Sequence, residues 1–490
     1  MMSLENIRNE RLAKIERLKE DGINPFPSHS SRTHSGVVFL EKHSTLEEDK
    51  EPVTLAGRVM SIREHGGSVF FDIFDGTARV QGYLKKDVSG DEVFSFFAKT
   101  VDVGDFIECS GTAFTTKRGM PSLSVFSCRI LAKSVRPIPD EWFGIKDEDK
   151  RYRKRYLDIL ISKELADRFR RRSIFWNTIR TYLLSHGYVE VETPVLETAT
   201  GGADARPFVT HHNALDIDVY LRISAGELWQ KRLMVAGLPK VFEIGRIFRN
   251  EGMSAEHAQD YTQVEFYEAF KDYEQGMEMV TELYRKIADD VYGKRTFTIR
   301  GYEVDLDASW ERYDFCKLIN DKFGIDPLNT TVDDVRGALE SNDIKFDKKG
   351  FNLERGIDTL WKHIRKTLSG PGFLIGVPVY MEPLAKRSEK DPRVVERFQV
   401  LIAGSEVGKG FSELNDPLDQ AERFAHQQEL RDAGDDEAQM NDKSYVEALE
   451  YGMPPTFGFG VSERLFSFLE GVSVREAQIF PIMRPPQEEA

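Results

Sequence analysis

The stretch from Val241 to Phe270 limits most tightly what this chain can become. It opens on an alternating run, Val241-Phe242-Glu243-Ile244, and closes on another, Tyr261 to Tyr267. A polar segment with Asn250, Glu251, Gly252, Ser254 and His257 lies between them. Alternation on both sides of a glycine-containing segment predicts two antiparallel strands joined by a long connection. The stretch nevertheless carries Glu243, Arg246, Arg249, Glu251 and Glu265. Charged side chains are seldom buried without a partner or a ligand. They either line the solvated face of a hairpin or form a pocket floor where arginines meet phosphate and carboxylates meet a cation.

At 490 residues the chain is too long for one core, so two or more domains are expected. Three scattered cysteines without a CxxC pair argue against a disulfide framework or a thiolate zinc site, and fit a reducing cytoplasm. The N-terminus is charged from the start and lacks the apolar core of a secretory signal. No run reaches the length of a membrane span, so no membrane partner is expected. The net charge is −15, but Lys150 to Arg155 and Arg168 to Arg172 are dense basic clusters, the first of which suits an RNA backbone.

Taken in order, residues 1–50 begin with an amphipathic helix carrying Leu4, Ile7, Leu12, Ile15 and Leu18. Residues 51–136 read as five short strands, with the helix-like DEVFSFFAKT before the fourth, which predicts a small OB-type barrel. Such barrels bind single-stranded nucleic acid through aromatic and basic side chains. Either Phe70 or Phe71 can instead be plain barrel core. Residues 137–160 form a proline-containing linker, and residues 161–490 a second, α+β domain. That domain starts with a long helix from Leu165 to His186 and a strand ending at Pro194. Gly201-Gly202 suits a mobile lid, and the adjacent His211 and His212 point to opposite faces of a strand, which disfavours a shared metal. Residues 296–370 read as a mostly helical insertion whose pattern says nothing about chemistry.

The segment Phe248-Arg249-Asn250-Glu251-Gly252, followed by His257 and Tyr261, resembles motif 2 of the class II aminoacyl-tRNA synthetases. The fuller FEIGRIFRNEG and VEFYEAF resemble the lysine-specific branch, and GFGVSER with IFPIMRP resembles motif 3. The resemblance covers residues 3 to 486 and implies an OB anticodon domain followed by a class II antiparallel-sheet catalytic domain. It implies a homodimer formed through the 165–194 region, with ATP, L-lysine and tRNA(Lys) as substrates and Mg²⁺ as cofactor. Arg249 is then expected at the ATP α-phosphate, Glu251 and Tyr261 at the adenine, and His257 and Arg464 at the outer phosphates. Glu227 is expected at the amino-acid α-amino group, with Glu265, Tyr267, Lys409, Phe411 and Glu413 around the rest of the amino acid. Glu406 and Gln399 are the expected metal ligands, and Arg63, Phe70 and Gln81 the expected readers of the anticodon.

Four positions depart from the pattern, one of them Ser462, which stands in motif 3 where a further glycine is usual. Gln399 replaces a second metal-binding glutamate, and Lys409 replaces an asparagine that touches substrate. Lys409 can pair there with the substrate carboxylate or with a pocket glutamate. Before Glu227 the loop has one extra residue, and Gly226 stands where proline is usual. An aspartate or asparagine enzyme, a relative that loads a non-tRNA acceptor, and an RNA-binding regulator remain as alternatives.

Overall fold

The computed structural model describes residues 3–139, 144–203, 205–252, 254–348, 351–434 and 438–485. It divides into two compact units, Met1–Asp147 and Glu148–Ala490.

In the first unit, α1 (Leu4–Glu20) starts at Ser3, whose hydroxyl accepts the Asn6 N–H at 3.1 Å. Its Leu18 lies in the same core as the strands that follow. Those strands are β1 (Pro52–His65), β2 (Ser68–Phe74), β3 (Arg79–Lys85), β4 (Phe106–Thr115) and β5 (Pro121–Ala132), closed into a barrel in the order β1-β2-β3-β5-β4. Helix α2 (Lys86–Thr100) stands between β3 and β4, where the sequence placed it. Strand alternation settles the two phenylalanines: Phe71 is fully buried against Phe97, and Phe70 lies on the outer face. Gly82 opposite Phe71 makes this possible, because a Cβ there would come within 2.3 Å of the ring. Cys109 and Cys128 face each other across β4 and β5 as free thiols, with sulfurs 3.5 Å apart. Their separation along the chain gave no sign of this.

The second unit is built on an eight-stranded sheet. Its strands are β6 (Val189–Glu190), β7 (Lys240–Phe248), β8 (Asp260–Ala269), β9 (Glu311–Asp314), β10 (Gly372–Ile375), β11 (Arg397–Ile402), β12 (Ser405–Ser412) and β13 (Thr456–Ser462). They lie in the order β9-β10-β11-β12-β13-β8-β7-β6. The six inner strands are antiparallel, and the expected β7–β8 pair is there, with Glu243 opposite Glu265. The two edge strands, which pair in parallel, span only two and four residues, too few for alternation to show.

Helices α3 (Lys163–Ser185) and α5 (Tyr273–Tyr292) supply Phe175, Ile179 and Leu283 to a core that includes Phe242, Phe266, Phe398 and Phe457 from the sheet. The insertion contributes β9 and three helices, the last being α6 (Leu353–Ile364). Its Phe315, Leu360 and Trp361 share a second core with Tyr267 and Phe411, so it is part of the fold around the sheet rather than a peripheral module.

Part of each basic cluster is engaged inside the unit, while Lys150 and Lys154 remain exposed. Arg155 is fully buried and bonds to Asp158 at 3.1 Å and to Glu476 at 3.3 Å. Arg151 and Arg168 also reach Glu476, Arg171 pairs with Glu470 at 2.6 Å, and Arg172 pairs with Glu463. A guanidinium taken from water needs a carboxylate partner, and these arginines find theirs inside the unit instead of on a nucleic-acid backbone. Among the described residues no helix is long and apolar enough to cross a membrane.

Candidate active site

A cavity of about 320 Å³ opens on the sheet of the second unit. The two-residue period of strands sends Tyr261, Gln263, Glu265 and Tyr267 of β8 to it. The same period sends Lys409, Phe411 and Glu413 from β12 and its end, and Gly458, Gly460 and Ser462 from β13. Glu227, Arg249, Gln399, Glu406 and Arg464 complete the set of expected residues in the lining. Glu251 and His257 lie outside it, although His257 Nε2 is 3.1 Å from Arg464.

One end of the cavity is acidic. Glu227, the first residue of α4 (Glu227–Val235), Glu265 and Glu413 are all buried. Glu265 Oε1 accepts the Ala225 N–H at 2.9 Å and Gln263 Nε2 at 2.5 Å, and its Oε2 accepts the Tyr267 hydroxyl at 3.2 Å. Burial, then the nearby charge of Glu227, pushes the Glu265 carboxyl up to about 7. Burial likewise raises Glu413 well above the carboxylate range. Gly458 keeps room here, since a Cβ would come within 2.0 Å of Glu413 Oε1 and 2.6 Å of the Tyr267 ring.

Lys231 is the residue that the sequence reading missed. It is fully buried, its ammonium lies 2.8 Å from Glu227 Oε1, and it also pairs with Glu413. The rings of Phe411 and Tyr267 lie 5.2 and 5.9 Å away. Burial alone would lower its pKa, but Glu227 and Glu413 outweigh that and hold it charged. The signal was available: Lys231 stands four residues after Glu227 on the same helix face.

The departure before Glu227 has a structural reason. Gly226 caps α4 with φ at 79°, a left-handed conformation that proline cannot adopt. Its missing side chain also leaves space for Thr193 Oγ1, which lies 2.1 Å from the site of a Cβ.

The other end holds arginines. Arg249 Nε donates to the Ile223 carbonyl at 3.2 Å, and its guanidinium lies 5.9 Å from the Tyr261 ring. Arg464 donates to the Glu406 carbonyl at 3.0 Å and pairs with Glu256 at 2.8 Å. Glu256 also pairs with Arg300 at 2.6 Å, so a carboxylate not singled out in the sequence steadies the arginine. Not every charge of the stretch belongs to the cavity. Glu243 is bound to Arg222 at 2.5 Å and to Thr193, and Arg246 pairs with Asp260 on the surface.

A magnesium ion carried in with a triphosphate would find one suitable carboxylate, Glu406, whose Oε1 is fixed by the Trp361 indole N–H at 2.6 Å. Gln399 does not fit that role, because its Oε1 already accepts a hydrogen bond from Arg397. Arg397 in turn pairs at 3.0 Å with buried Glu382, which pairs at 2.7 Å with Lys409. Lys409 therefore meets a pocket glutamate, but one outside the acidic end.

On the barrel of the first unit, Arg63 lies opposite Phe70 and Gln81 opposite Asp72, so all three expected residues share one outer face. Phe70 packs 4.6 Å from Tyr83, which lies 5.6 Å from Phe114. The aromatic platform is thus wider than the one phenylalanine expected.

An inner antiparallel sheet with arginines at one end of its cavity and ammonium-binding acids at the other, in a chain that also holds an OB barrel, defines a class II tRNA synthetase. Comparison with known proteins agrees. Residues 147–484 match the model of tRNA synthetases class II (D, K and N), and residues 53–131 match that of the OB-fold nucleic acid binding domain. The chain belongs to this synthetase family. It is similar to the lysine–tRNA ligase of Fervidobacterium nodosum, with 43% identity over 98% of this chain and 95% of the relative. It is also 42% identical to that of Roseiflexus sp., covering 99% and 100% of the two chains, and 40% identical to that of Thermotoga maritima, covering 99% and 97%.

Proposed function

We propose that this chain has lysine–tRNA ligase activity. It activates L-lysine with ATP to lysyl-adenylate and transfers the lysyl group to the 3′ end of tRNA(Lys). The observation that carries this reading is the acidic end: three buried carboxylates and a tyrosine face one cavity that also contains Arg249 and Arg464. Two ammonium groups on one small molecule match it. Glu227 takes the α-amino group, while Glu265, Tyr267, Phe411 and Glu413 take the side chain.

The lysine carboxylate attacks the α-phosphate, negative charge grows on the phosphate oxygens, and the α–β bond breaks to release pyrophosphate; the tRNA hydroxyl later displaces AMP from the adenylate. Arg249 stabilises that charge at the α-phosphate, and Arg464, with His257, holds the outer phosphates. Tyr261 and Glu251 hold the adenine. Glu406 would hold a magnesium ion, which would supply further neutralisation of the phosphates. Arg63, Phe70 and Gln81 read the anticodon by hydrogen bonding and stacking. The exposed Ile174, Leu184 and Val189 support a homodimer through the 165–194 region, and a cytoplasmic enzyme fits the whole.

The test is ATP–pyrophosphate exchange by the purified protein with each of the twenty amino acids. Exchange with lysine alone is expected. Exchange with aspartate or asparagine instead, or with none, overturns the reading. Charging of a tRNA(Lys) transcript then separates it from a relative that loads another acceptor.

A further inference from the structure

Lys409 and Gln399 sit opposite each other on β12 and β11, and both face the cavity. A continuous set of contacts joins them. Lys409 pairs with Glu382, Glu382 with Arg397, and Arg397 donates to Gln399. The carboxylate in this set is buried, as is Arg397, whereas the Lys409 side chain is 41% exposed. Glu406 lies farther along β12, and around Gln399 two cations share one carboxylate, so this part of the wall carries a net positive charge. Its exposed member is the ammonium. Opposite Lys409 on the other side stands Gly460, which has no side chain to cover it.

Such a wall repels a divalent cation and attracts an anion. The amide oxygen of Gln399 is engaged by a guanidinium, which both occupies it and places a like charge beside any metal it would bind. The family resemblance expects a metal-holding side chain at this position, and the side chain present does not fit that task.

We propose that Lys409, steadied by Glu382, binds the phosphates of ATP and supplies from the protein the charge that a second protein-held metal would bring. The enzyme then works with the single magnesium on Glu406. This rests on the ATP-binding part of the function proposed above. An ammonium suits the role because it is a compact point charge on a flexible stem, and Glu382 limits where that stem can go. Lys409 also lies 5.8 Å from the Phe411 ring, so one residue borders both the phosphate and the amino-acid regions.

Two measurements on the full chain test this, and neither needs an amino acid to be activated. The first is calorimetric binding of inorganic pyrophosphate in the presence of EDTA. Lys409→Met is expected to weaken it about tenfold and Lys409→Arg to preserve it, as expected for loss of one charge contact. Equal affinity for wild type and Lys409→Met overturns the proposal. The second counts Mn²⁺ bound per site with ATP by electron paramagnetic resonance. One ion is expected in the wild type, and a second in the Lys409→Asn, Gln399→Glu double variant. Two or more ions in the wild type overturn the proposal. Absence of lysine-dependent exchange, with these results as expected, would instead sink only the amino-acid assignment.

Discussion

At the scale of single residues, Lys231 and Glu265 decide how the acidic end behaves. Lys231 neutralises part of a cluster that would otherwise hold three carboxylates out of water. Removing one partner of a buried ion pair costs about 3–5 kcal/mol, because the other charge is left uncompensated. Lys231→Met is therefore expected to lower the unfolding free energy of the catalytic unit by about that amount in denaturant titrations. Adding Glu413→Gln to it should recover part of the loss, and a fully additive double variant would show that the two do not interact. Glu265 gives a pH dependence. With its carboxyl raised to about 7, it holds a proton below that pH and is ionised above it. An ammonium needs the ionised form, so lysine affinity should fall as pH drops from 8 to 6. Calorimetry in buffers of differing ionisation enthalpy should show protons released on binding at the lower pH. Affinity that is flat across this range would place the charge elsewhere.

At the scale of elements, the glycines of β13 matter as much as the charges they face. Gly458 lies opposite Phe411 and Tyr267, and its missing side chain is what makes room for Glu413 Oε1. Gly458→Ala is expected to reduce kcat/KM for lysine about 100-fold, as for a displacement of about 1 Å at a reacting site, while ATP binding persists. Equal losses for both substrates would mean that the strand itself had shifted. The central strand pair was legible in the sequence because strand alternation is a local signal, and the cavity residues followed from the resemblance of short motifs to the synthetase family. β7 and β8, Glu265 and Tyr267, and the barrel strands all announce themselves within ten residues. The contacts of Trp361 with Glu406, and of Glu256 with Arg464, join segments far apart in the chain. No periodicity reports such pairs. The pairing of Arg155 and Arg171 was hidden for the same reason: the acids that hold them lie some 300 positions later.

At the scale of the whole molecule, the proposed function gives the two units two separable tasks. If the barrel face reads tRNA, Phe70→Ala should remove one stacking contact, worth about 1–3 kcal/mol, and raise the KM for tRNA(Lys) by about 10- to 100-fold. Lysine-dependent ATP–pyrophosphate exchange should not change, since none of that chemistry involves the barrel. A loss of exchange in this variant would show that the barrel supports activation as well. Ile130 and Ile107 in the barrel core serve as controls, because their replacement should lower stability without altering tRNA affinity selectively.

Lys231 has one more consequence, which concerns counting. Once lysine draws all three acids into their ionised form, three carboxylates less one resident ammonium leave two negative charges, the number that matches the two amino groups of lysine. On the proposed reading the cavity weighs its guest by valence before it measures its length. Norleucine, which lacks the terminal amine, should be rejected about 10⁴-fold because a buried carboxylate is left unmatched. Ornithine carries both amines and is short by one methylene, so it should be rejected only about 10- to 200-fold. Competition in the exchange assay would rank the two. A site that turned away ornithine more strongly than norleucine would be gauging shape instead of charge.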